Sequence, residues 1–313
     1  MTILKTLASA AVAIFIMLSG QKALAASQPA SGLTVSPAFQ MVTIAPGAAE
    51  QPASFKITNN RPVAQEVSLS VADFNTLNES GGLFFVGTNP TALQKKYGLA
   101  KWVSLPASKL VIQPNQTVSL NASILNLPTL QPGGHYGALM ISLGSPNTQA
   151  GQVGIQPIAS SLLFVTKAQG ATHKLALSDV YVKHSLFKLP ADATLRFMND
   201  GNTHVVPRGS VYVTAPSGKV VSRGIINENS EIILPETLRK YNVALKPLER
   251  SKAIGKYTLH VDFRFDGIAQ FRTYQQSILI ISAVGLLSVL TFVAVVVIIA
   301  LLAFRKRMRK RIK

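Results

Sequence analysis

The sequence predicts an all-β protein of two tandem β-sandwiches, followed by a single transmembrane α-helix. Apolar and polar residues alternate with a period of two along most of residues 26–277, which is typical of half-buried strands. Turn-forming Pro, Gly and Asn residues separate these short segments, as in sandwich folds. Near the end, residues 278–304 form an uncharged segment of 27 residues, which is long enough to cross a bilayer.

The composition excludes several classes of protein. The chain has 313 residues, of which 48% are hydrophobic, so it is not a disordered chain. It contains no cysteine, which rules out disulfides and thiolate metal sites. Lys and Arg outnumber Asp and Glu by 31 to 13, but residues 26–277 carry no zinc-finger spacing and no interleaved aromatic and basic motif. A nucleic-acid partner is therefore not expected.

The first element is a predicted secretory signal peptide over residues 1–25. Lys5 is followed by an apolar run from Leu7 to Leu18, and Ala23 and Ala25 form a small-x-small site, so we expect cleavage after Ala25. At the other end, residues 305–313 carry seven Lys or Arg. The positive-inside rule places this basic tail in the cytoplasm, leaving residues 26–277 outside a cell membrane that is crossed once.

The strands between these ends follow from alternation. Between Tyr257 and Asp266, five apolar residues fall on one face and five polar or charged residues on the other. A last strand is expected near residues 268–274, and residues 90–97 form at most a short helix within a long loop. Further strands are predicted at residues 53–59, 63–74, 117–124, 154–167, 174–183, 193–199, 209–215, 219–226 and 230–234.

An internal repeat divides the strands into two domains. Residues 55–59 (FKITN) and 195–199 (LRFMN) share an apolar-basic-apolar-x-Asn pattern, and each precedes a turn. Residues 134–136 (GHY) and 255–257 (GKY) both open a long strand, and such a Tyr can bond back to the backbone as a tyrosine corner. We therefore predict immunoglobulin-like domains over residues 26–170 and 171–277, with the boundary at residues 168–172.

These features together resemble the WxL-interacting proteins of Gram-positive surfaces. The resemblance covers nearly the whole mature chain and is carried by residues 33–37 (LTVSP), 44–47 (IAPG), 59–60 (NN) and 133–137 (GGHYG). It implies a scaffold or adhesion protein whose first domain binds peptidoglycan and which also contacts other surface proteins. The second half departs from the family pattern, and Trp102 is followed by Val-Ser, so the chain is not itself a WxL protein.

The motifs of catalysis and of metal or cofactor binding are not found in the sequence. No zinc-protease, nucleophile-elbow, phosphate-loop or dinucleotide motif occurs, and the five histidines are widely spaced. The short motif from Ser185 to Lys188 (SLFK) has no companion motif, so it does not indicate a penicillin-binding enzyme. We expect no catalytic residues, no cofactor and no metal, and hence no enzymatic activity.

Two polar clusters are the candidate ligand contacts. The long connection from Asn75 to Ser104 places aromatic residues beside lysines, a pattern that suits glycans or anionic polymers; its candidates are Lys95, Lys96, Tyr97, Lys101 and Trp102. The densest polar cluster lies at the turn after residue 198, where the candidates are Asn199, Asn202 and His204. In each cluster the alternative is structural: the aromatics close one end of a sandwich, and the Asn side chains cap a tight turn.

The favoured function is a membrane-anchored surface protein that binds cell-wall polymer or other surface proteins. One alternative is a pilus-chaperone-like module that pairs an edge strand with a client, and a wall hydrolase or transferase is less favoured.

Small residues in the apolar segment never fall four apart, so this helix is not expected to dimerise. Residues 171–277 hold 15 basic and 9 acidic residues, so the second domain should attract anionic lipids or polymers.

Overall fold

The computed structural model describes residues 32–86, 89–143, 158–183, 185, 187–249, 254–281 and 283–311. Within these ranges it is mostly β-structure, arranged as two immunoglobulin-like sandwiches, with a long apolar helix at the C-terminal end. The predicted fold class is therefore confirmed. The predicted signal peptide and its cleavage after Ala25 lie outside the described residues.

The first domain is a sandwich of two sheets. The smaller sheet has the order β1-β3-β8-β6, with bounds β1 Leu33–Ser36, β3 Glu50–Asn59, β8 Thr117–Leu125 and β6 Val103–Ser104. The larger sheet has the order β2-β10-β9-β4-β5, and β7 also pairs with β4; the bounds are β2 Phe39–Ile44, β10 Ile158–Lys167, β9 Gly133–Leu143, β4 Gln65–Thr76, β5 Leu83–Phe85 and β7 Lys109–Ile112. Among the described strands of this domain, only β2 runs parallel to its neighbour, β10.

A short helical segment covers one end of the larger sheet. It consists of helix α1, Ala92–Tyr97, and a 3-10 turn, Ala100–Trp102. Thr91 caps α1 in a capping box with Gln94, so the predicted short helix is present. The Asp73 carboxylate accepts hydrogen bonds from the backbone N–H groups of Leu99 and Ala100, both at 2.6 Å, and this fixes the turn on the sheet.

The second domain repeats the architecture with fewer strands. One sheet has the order β11-β12-β15, with bounds β11 Leu175–Tyr181, β12 Asp192–Asn199 and β15 Leu238–Ala244. The other has the order β16-β14-β13-β17-β18, with bounds β16 Lys246–Pro247, β14 Val220–Ile226, β13 Arg208–Thr214, β17 Ile254–Arg264 and β18 Arg272–Ile281. No described strand pairs across the two domains, and the chain passes between them from Lys167 to Leu175.

Alternation places the core of each domain as predicted. On β17, Leu259, Val261 and Phe263 are buried, whereas the residues between them are partly accessible to solvent. On β3 and β8, Phe55, Ile57 and similar residues fill the core of the first domain in the same way. Each domain therefore has a separate apolar core between its two sheets.

The structure differs from the sequence prediction in several strands, and β1, β2, β5, β6, β7, β15 and β16 are not among those predicted. Residues 230–234 do not form a strand, because only Ile233 makes a bridge, to Val205. The strand in this part of the chain is β15, which begins at Leu238. The last strand is β18, and it begins at Arg272 rather than near residue 268.

The apolar helix begins later than the predicted span. Helix α2 covers Ala283–Arg311, and its first 23 residues, Ala283–Arg305, are long and apolar enough to cross a membrane. Ile278 and Ile280 belong instead to β18, where their side chains are buried in the core of the second domain. Since an apolar strand end and an apolar helix follow one another, composition alone shows no boundary between them.

The strand pairings show which parts of the second domain lie at each end. The β11–β12 connection follows Tyr181, which pairs with Thr194 near the start of β12. Asp192 pairs with Ala244, and Leu248 donates its backbone N–H to the Val221 oxygen. The β13–β14 turn, Leu248 after β16, and the paired residues Ile254 and Ile281 therefore share this end. The opposite end carries the turn after Asn199 and meets the first domain.

Candidate binding cleft between the two domains

The two domains are joined by a third apolar cluster. On β9 and β10 the residues that point away from the core of the first domain contact the second domain. The cluster is centred on Phe164, whose ring lies edge-to-face with those of Phe74 at 5.3 Å and Tyr136 at 5.8 Å between centroids. Its buried members are Phe74, Tyr97, Tyr136, Ala138, Phe164 and Leu234. Burying aromatic surface in this way stabilises the contact between the domains.

Charged pairs lie around this apolar cluster. The Lys96 ammonium lies 2.5 Å from the Glu236 carboxylate, which also accepts a hydrogen bond of 2.8 Å from the Tyr97 hydroxyl. These hydrogen bonds lower the pKa of Glu236 and raise that of Lys96. Arg196 donates two hydrogen bonds to the Glu79 carboxylate, and these lower the pKa of Glu79. All four charged groups are partly accessible to solvent, so salt weakens their attraction.

The turn after Asn199 supplies the polar contacts between the domains. The Asn202 backbone oxygen accepts a hydrogen bond of 2.7 Å from the Gly134 N–H of the first domain. Its side chain donates to the Gly170 oxygen at 2.9 Å and accepts from the Thr172 N–H at 2.7 Å. Asn202 therefore links the end of the first domain, the connecting segment and the second domain.

A partly buried histidine, His204, lies beside these contacts. The His204 ring packs edge-to-face against Phe164, at 5.7 Å between centroids, and its Nδ1 lies 3.4 Å from the Tyr136 hydroxyl. Burial lowers the pKa of His204 to about 4, so the ring is neutral at physiological pH. The Tyr136 hydroxyl thus reaches the second domain, whereas the tyrosine-corner interpretation predicts a bond to its own domain's backbone.

Another histidine, His135, is fully buried and stabilises the first domain. Its ring nitrogens lie 3.0 Å from the Gly98 oxygen and 2.8 Å from the Gln131 oxygen, so His135 bridges the α1 segment and the loop before β9. Burial lowers its pKa. Among the described residues no group of three His, Asp or Glu side chains could hold a metal ion.

Strand β2 forms one wall of an open cleft beside the apolar cluster. Phe39 and Met41 are each 53% exposed although they lie on the same face as the buried Phe164. A cavity of about 430 Å³ lies beside Met41 and is bounded by His204, Val206 and Arg208 of the second domain. A further cavity of about 240 Å³ lies beside Phe39 and is lined mainly by apolar side chains, among them Leu83, Leu162, Ile232 and Leu234.

The backbone of β2 is open on one side. β10 pairs with it along residues 39–44, and no described strand pairs with its other edge. Such an edge presents unpaired N–H and C=O groups to an incoming strand. Apolar side chains and a free strand edge therefore occur together at this cleft, as β-strand addition requires.

The predicted ligand contacts do not form one surface. Tyr97 and Trp102 are buried at 5% and 7% exposure, and the Trp102 indole N–H donates to Thr129. Lys96 is paired with Glu236, whereas Lys95 and Lys101 are exposed, and Lys101 lies over the Trp102 ring at 5.2 Å. In the second cluster, the Asn199 side chain donates to the Thr203 and Ile233 oxygens within its own domain, whereas Asn202 and His204 contact the first domain. Their role as ligand contacts stays a prediction.

Sequence reasoning missed Phe39 and Met41. Residues 39–44 (FQMVTI) alternate, but both sets of alternating residues contain apolar side chains. The sequence signal that could have identified them is the alternation of Phe39 and Met41 with the polar Gln40. In the structure the Gln40 side chain donates to the Ser54 oxygen at 2.9 Å. A strand with large apolar residues on its outer face indicates a further contact on that face.

Fold and cleft together define a two-domain immunoglobulin-like protein. Its topology resembles that of chaperones of fimbrial assembly. A chaperone–tip adhesin complex of CFA/I fimbriae biogenesis matches with a TM-score of 0.44 and 10% identity over 79% of this chain and 98% of that chain. The class 5 fimbriae chaperone CfaA gives 0.41 and 8% over 79% and 99%. The CsuC–CsuE pre-assembly complex of Acinetobacter baumannii gives 0.36 and 11% over 80% and 100%.

The sequence itself identifies no family. No family model matches the chain, and no curated protein sequence matches it either. At 8 to 11% identity and TM-scores below 0.5, the structural likeness is one of general architecture and does not extend to a ligand or a partner.

Proposed function

We propose that this chain is a membrane-anchored, non-enzymatic binding protein that holds an extended segment of a partner protein in the cleft between its domains. The observation that carries the proposal is the pair Phe39 and Met41, half-exposed on a strand with a free edge. A partner strand that pairs with β2 satisfies the open backbone groups and covers both side chains. Completing their burial contributes about 2 kcal/mol in total.

The anchor follows from the two ends of the chain. Helix α2 crosses the membrane, the basic residues after Phe304 remain in the cytoplasm, and the predicted signal peptide exports residues 26–277. The first domain lies at the end of the second domain that is remote from α2. The cleft is therefore held outside the cell, separated from the membrane by the length of the second domain.

The proposal is tested by hydrogen exchange of the full chain in detergent micelles. The probe is a synthetic peptide of alternating Val and Ser residues, and the control peptide has Pro at every second position. We expect the first peptide to slow exchange of the backbone amides in residues 39–44, because strand addition engages their N–H groups. Double replacement of Phe39→Ser and Met41→Ser should weaken peptide binding by about tenfold or more.

A matched variant separates this site from general apolar binding. Val111 is 60% exposed on β7, at the opposite edge of the same sheet, so Val111→Ser should leave peptide binding unchanged. Equal effects of the variants at the two edges, or protection of β7 rather than β2, would contradict the proposal.

A second candidate ligand is a wall polymer bound beside α1. Two exposed lysines lie on this segment, Lys95 in α1 and Lys101 in the 3-10 turn, and an anionic polymer can contact both without entering the core. Pull-down on purified peptidoglycan should then fall with Lys95→Glu and Lys101→Glu but not with Phe39→Ser. Release of soluble muropeptides in the same assay would instead indicate a hydrolase.

A further inference from the structure

The second domain is joined to the apolar helix almost without a linker. β18 ends at Ile281 and α2 begins at Ala283, so one residue separates a strand of the domain from the membrane-spanning segment. One residue spans at most about 3.6 Å. Ile254, which pairs with Ile281, must therefore lie close to the bilayer surface, and so must the loops that share this end of the domain.

This end, here called the membrane-end face, is formed by the described residues of the β11–β12 connection, the β13–β14 turn, Leu248 and Glu249 after β16, and the paired ends of β17 and β18. It exposes large apolar side chains: Phe187 is 58% exposed, Leu248 59%, Leu279 52% and Ile254 38%. They come from separate segments, so local sequence alone does not account for their grouping. Apolar side chains at the tips of loops suit the interface between headgroups and acyl chains.

Charge is also distributed unequally between the two ends. Among the described residues, the membrane-end face has exposed lysines at 183, 188, 219, 246 and 256, against two acidic residues, Asp192 and Glu249. Glu249 is paired with Lys219 at 2.5 Å. The opposite end of the domain carries most of its acidic residues: Asp200, Glu228, Glu231, Glu236 and Asp266. The net positive charge of the domain is therefore concentrated toward the helix.

We propose that the membrane-end face is a lipid-binding surface that seats the second domain on anionic phospholipid headgroups. The inference rests on the membrane anchoring proposed for α2. Phe187, Leu248 and Ile254 enter the interfacial layer, and the lysines around them pair with lipid phosphates. Because four separate segments contact the bilayer, the second domain does not pivot freely on the end of α2. The cleft is then held at a fixed height and orientation above the membrane.

The absence of cysteine makes the test direct, since one introduced cysteine can be labelled uniquely. The full chain is reconstituted in phosphatidylcholine vesicles with and without phosphatidylglycerol, and an environment-sensitive fluorophore is attached at Phe187→Cys. The matched control is Phe271→Cys, which is equally exposed at 57% but lies at the opposite end of the domain. Quenching by nitroxide-labelled lipids reports proximity to the bilayer.

We expect quenching at Phe187 to exceed that at Phe271 by about threefold or more in anionic vesicles, and to fall as salt is raised. The double variant Lys188→Glu with Lys246→Glu should reduce the quenching of the label at position 187. The same charge change away from this face, made with Lys56→Glu and Lys174→Glu, should not reduce it. Equal quenching at Phe187 and Phe271 would overturn the proposal, and so would quenching that is unaffected by anionic lipid.

A third label distinguishes failure of this proposal from failure of the anchor. A fluorophore at Val297→Cys, in the middle of α2, should be quenched by lipids that carry the nitroxide deep in the acyl chain. If Val297 is quenched and Phe187 is not, the helix spans the membrane but the domain does not rest on it. If Val297 is not quenched, the membrane anchor itself is wrong.

Discussion

The two domains contain the same asparagine turn in two different settings. Asn59 and Asn199 end equivalent strands, and both side chains are fully buried. In each turn the side-chain N–H group donates to the backbone oxygen four residues on, at 2.8 Å for Asn59 and 2.9 Å for Asn199. In each, the side-chain oxygen accepts from the N–H two residues on, at 3.0 and 2.9 Å. The short sequence repeat therefore corresponds to a repeated pair of side-chain hydrogen bonds, here called the asparagine lock.

The two turns differ in what covers them. The turn after Asn59 lies at the free end of the first domain, where Arg61 is exposed. The turn after Asn199 meets the first domain, and its next residues, from Asn202 to His204, supply the polar contacts of the interface. Because the lock is the same, the difference shows that domain docking depends on the residues after the lock.

The largest effect is expected from Phe164→Ala, which removes the centre of the apolar cluster that covers the second turn. Truncating a buried Phe costs about 3 to 5 kcal/mol of unfolding free energy. Hydrogen exchange at Gly201 and Asn202 should accelerate more than exchange at Arg61 in the uncovered turn. The control is Phe187→Ala, an exposed Phe, which should leave both turns unaffected. Equal acceleration in the two turns would mean that the domains do not protect the second one.

Smaller but paired effects are expected from Asn59→Ala and Asn199→Ala. Each variant leaves buried backbone groups without partners, at a cost of about 1 to 3 kcal/mol in denaturant unfolding. Only Asn199→Ala should also weaken domain docking, seen as faster exchange at Gly134, whose N–H donates to Asn202. Asn121→Ala, an exposed Asn in the first domain, provides the baseline. Loss of Gly134 protection in Asn59→Ala would show that the two locks are not independent.

The first domain also shows how far sequence patterns could predict the molecule. Alternation predicted strands such as β17 because a strand that is buried on one face has apolar residues at every second position. Lys96, Tyr97, Lys101 and Trp102 match the composition of a glycan site, yet both rings are buried. A local sequence pattern cannot show that distant segments, such as the one that carries Glu236, will cover such residues. The cleft beside Phe39 was missed for the same reason, because it exists only once the two domains are docked.

The free energy of unfolding is also expected to depend on pH at the turn after Asn199, by an amount comparable to or smaller than the effects of the two Asn variants. Burial lowers the pKa of His204 from its ordinary value of 6.5 to about 4, so the unfolded chain binds a proton more readily than the folded chain between these values. Stability is therefore full above about pH 6.5 and falls as pH decreases toward 4, by up to about 3 kcal/mol. The nearby Asp266 opposes this lowering, and His173 adds to it.

The variant His204→Gln tests the origin of the pH effect. It cannot titrate, so the slope of unfolding free energy against pH between 4 and 6.5 should flatten. The slope will not vanish, because burial also lowers the pKa of His135. An unchanged slope in His204→Gln would assign the whole effect to other groups and leave the covered turn without a pH response.

The smallest effect is expected from Glu236→Gln, at the rim of the same interface. The Glu236 carboxylate accepts from Lys96 and Tyr97, but both it and Lys96 are partly accessible to solvent, so the loss should stay within about 1 kcal/mol. Glutamine keeps an oxygen that can accept from Tyr97, so the variant isolates the charge. The difference from the natural chain should shrink as salt is raised, because exposed charges are screened. A loss that is both large and independent of salt would show that this rim, and not the apolar cluster around Phe164, holds the domains together.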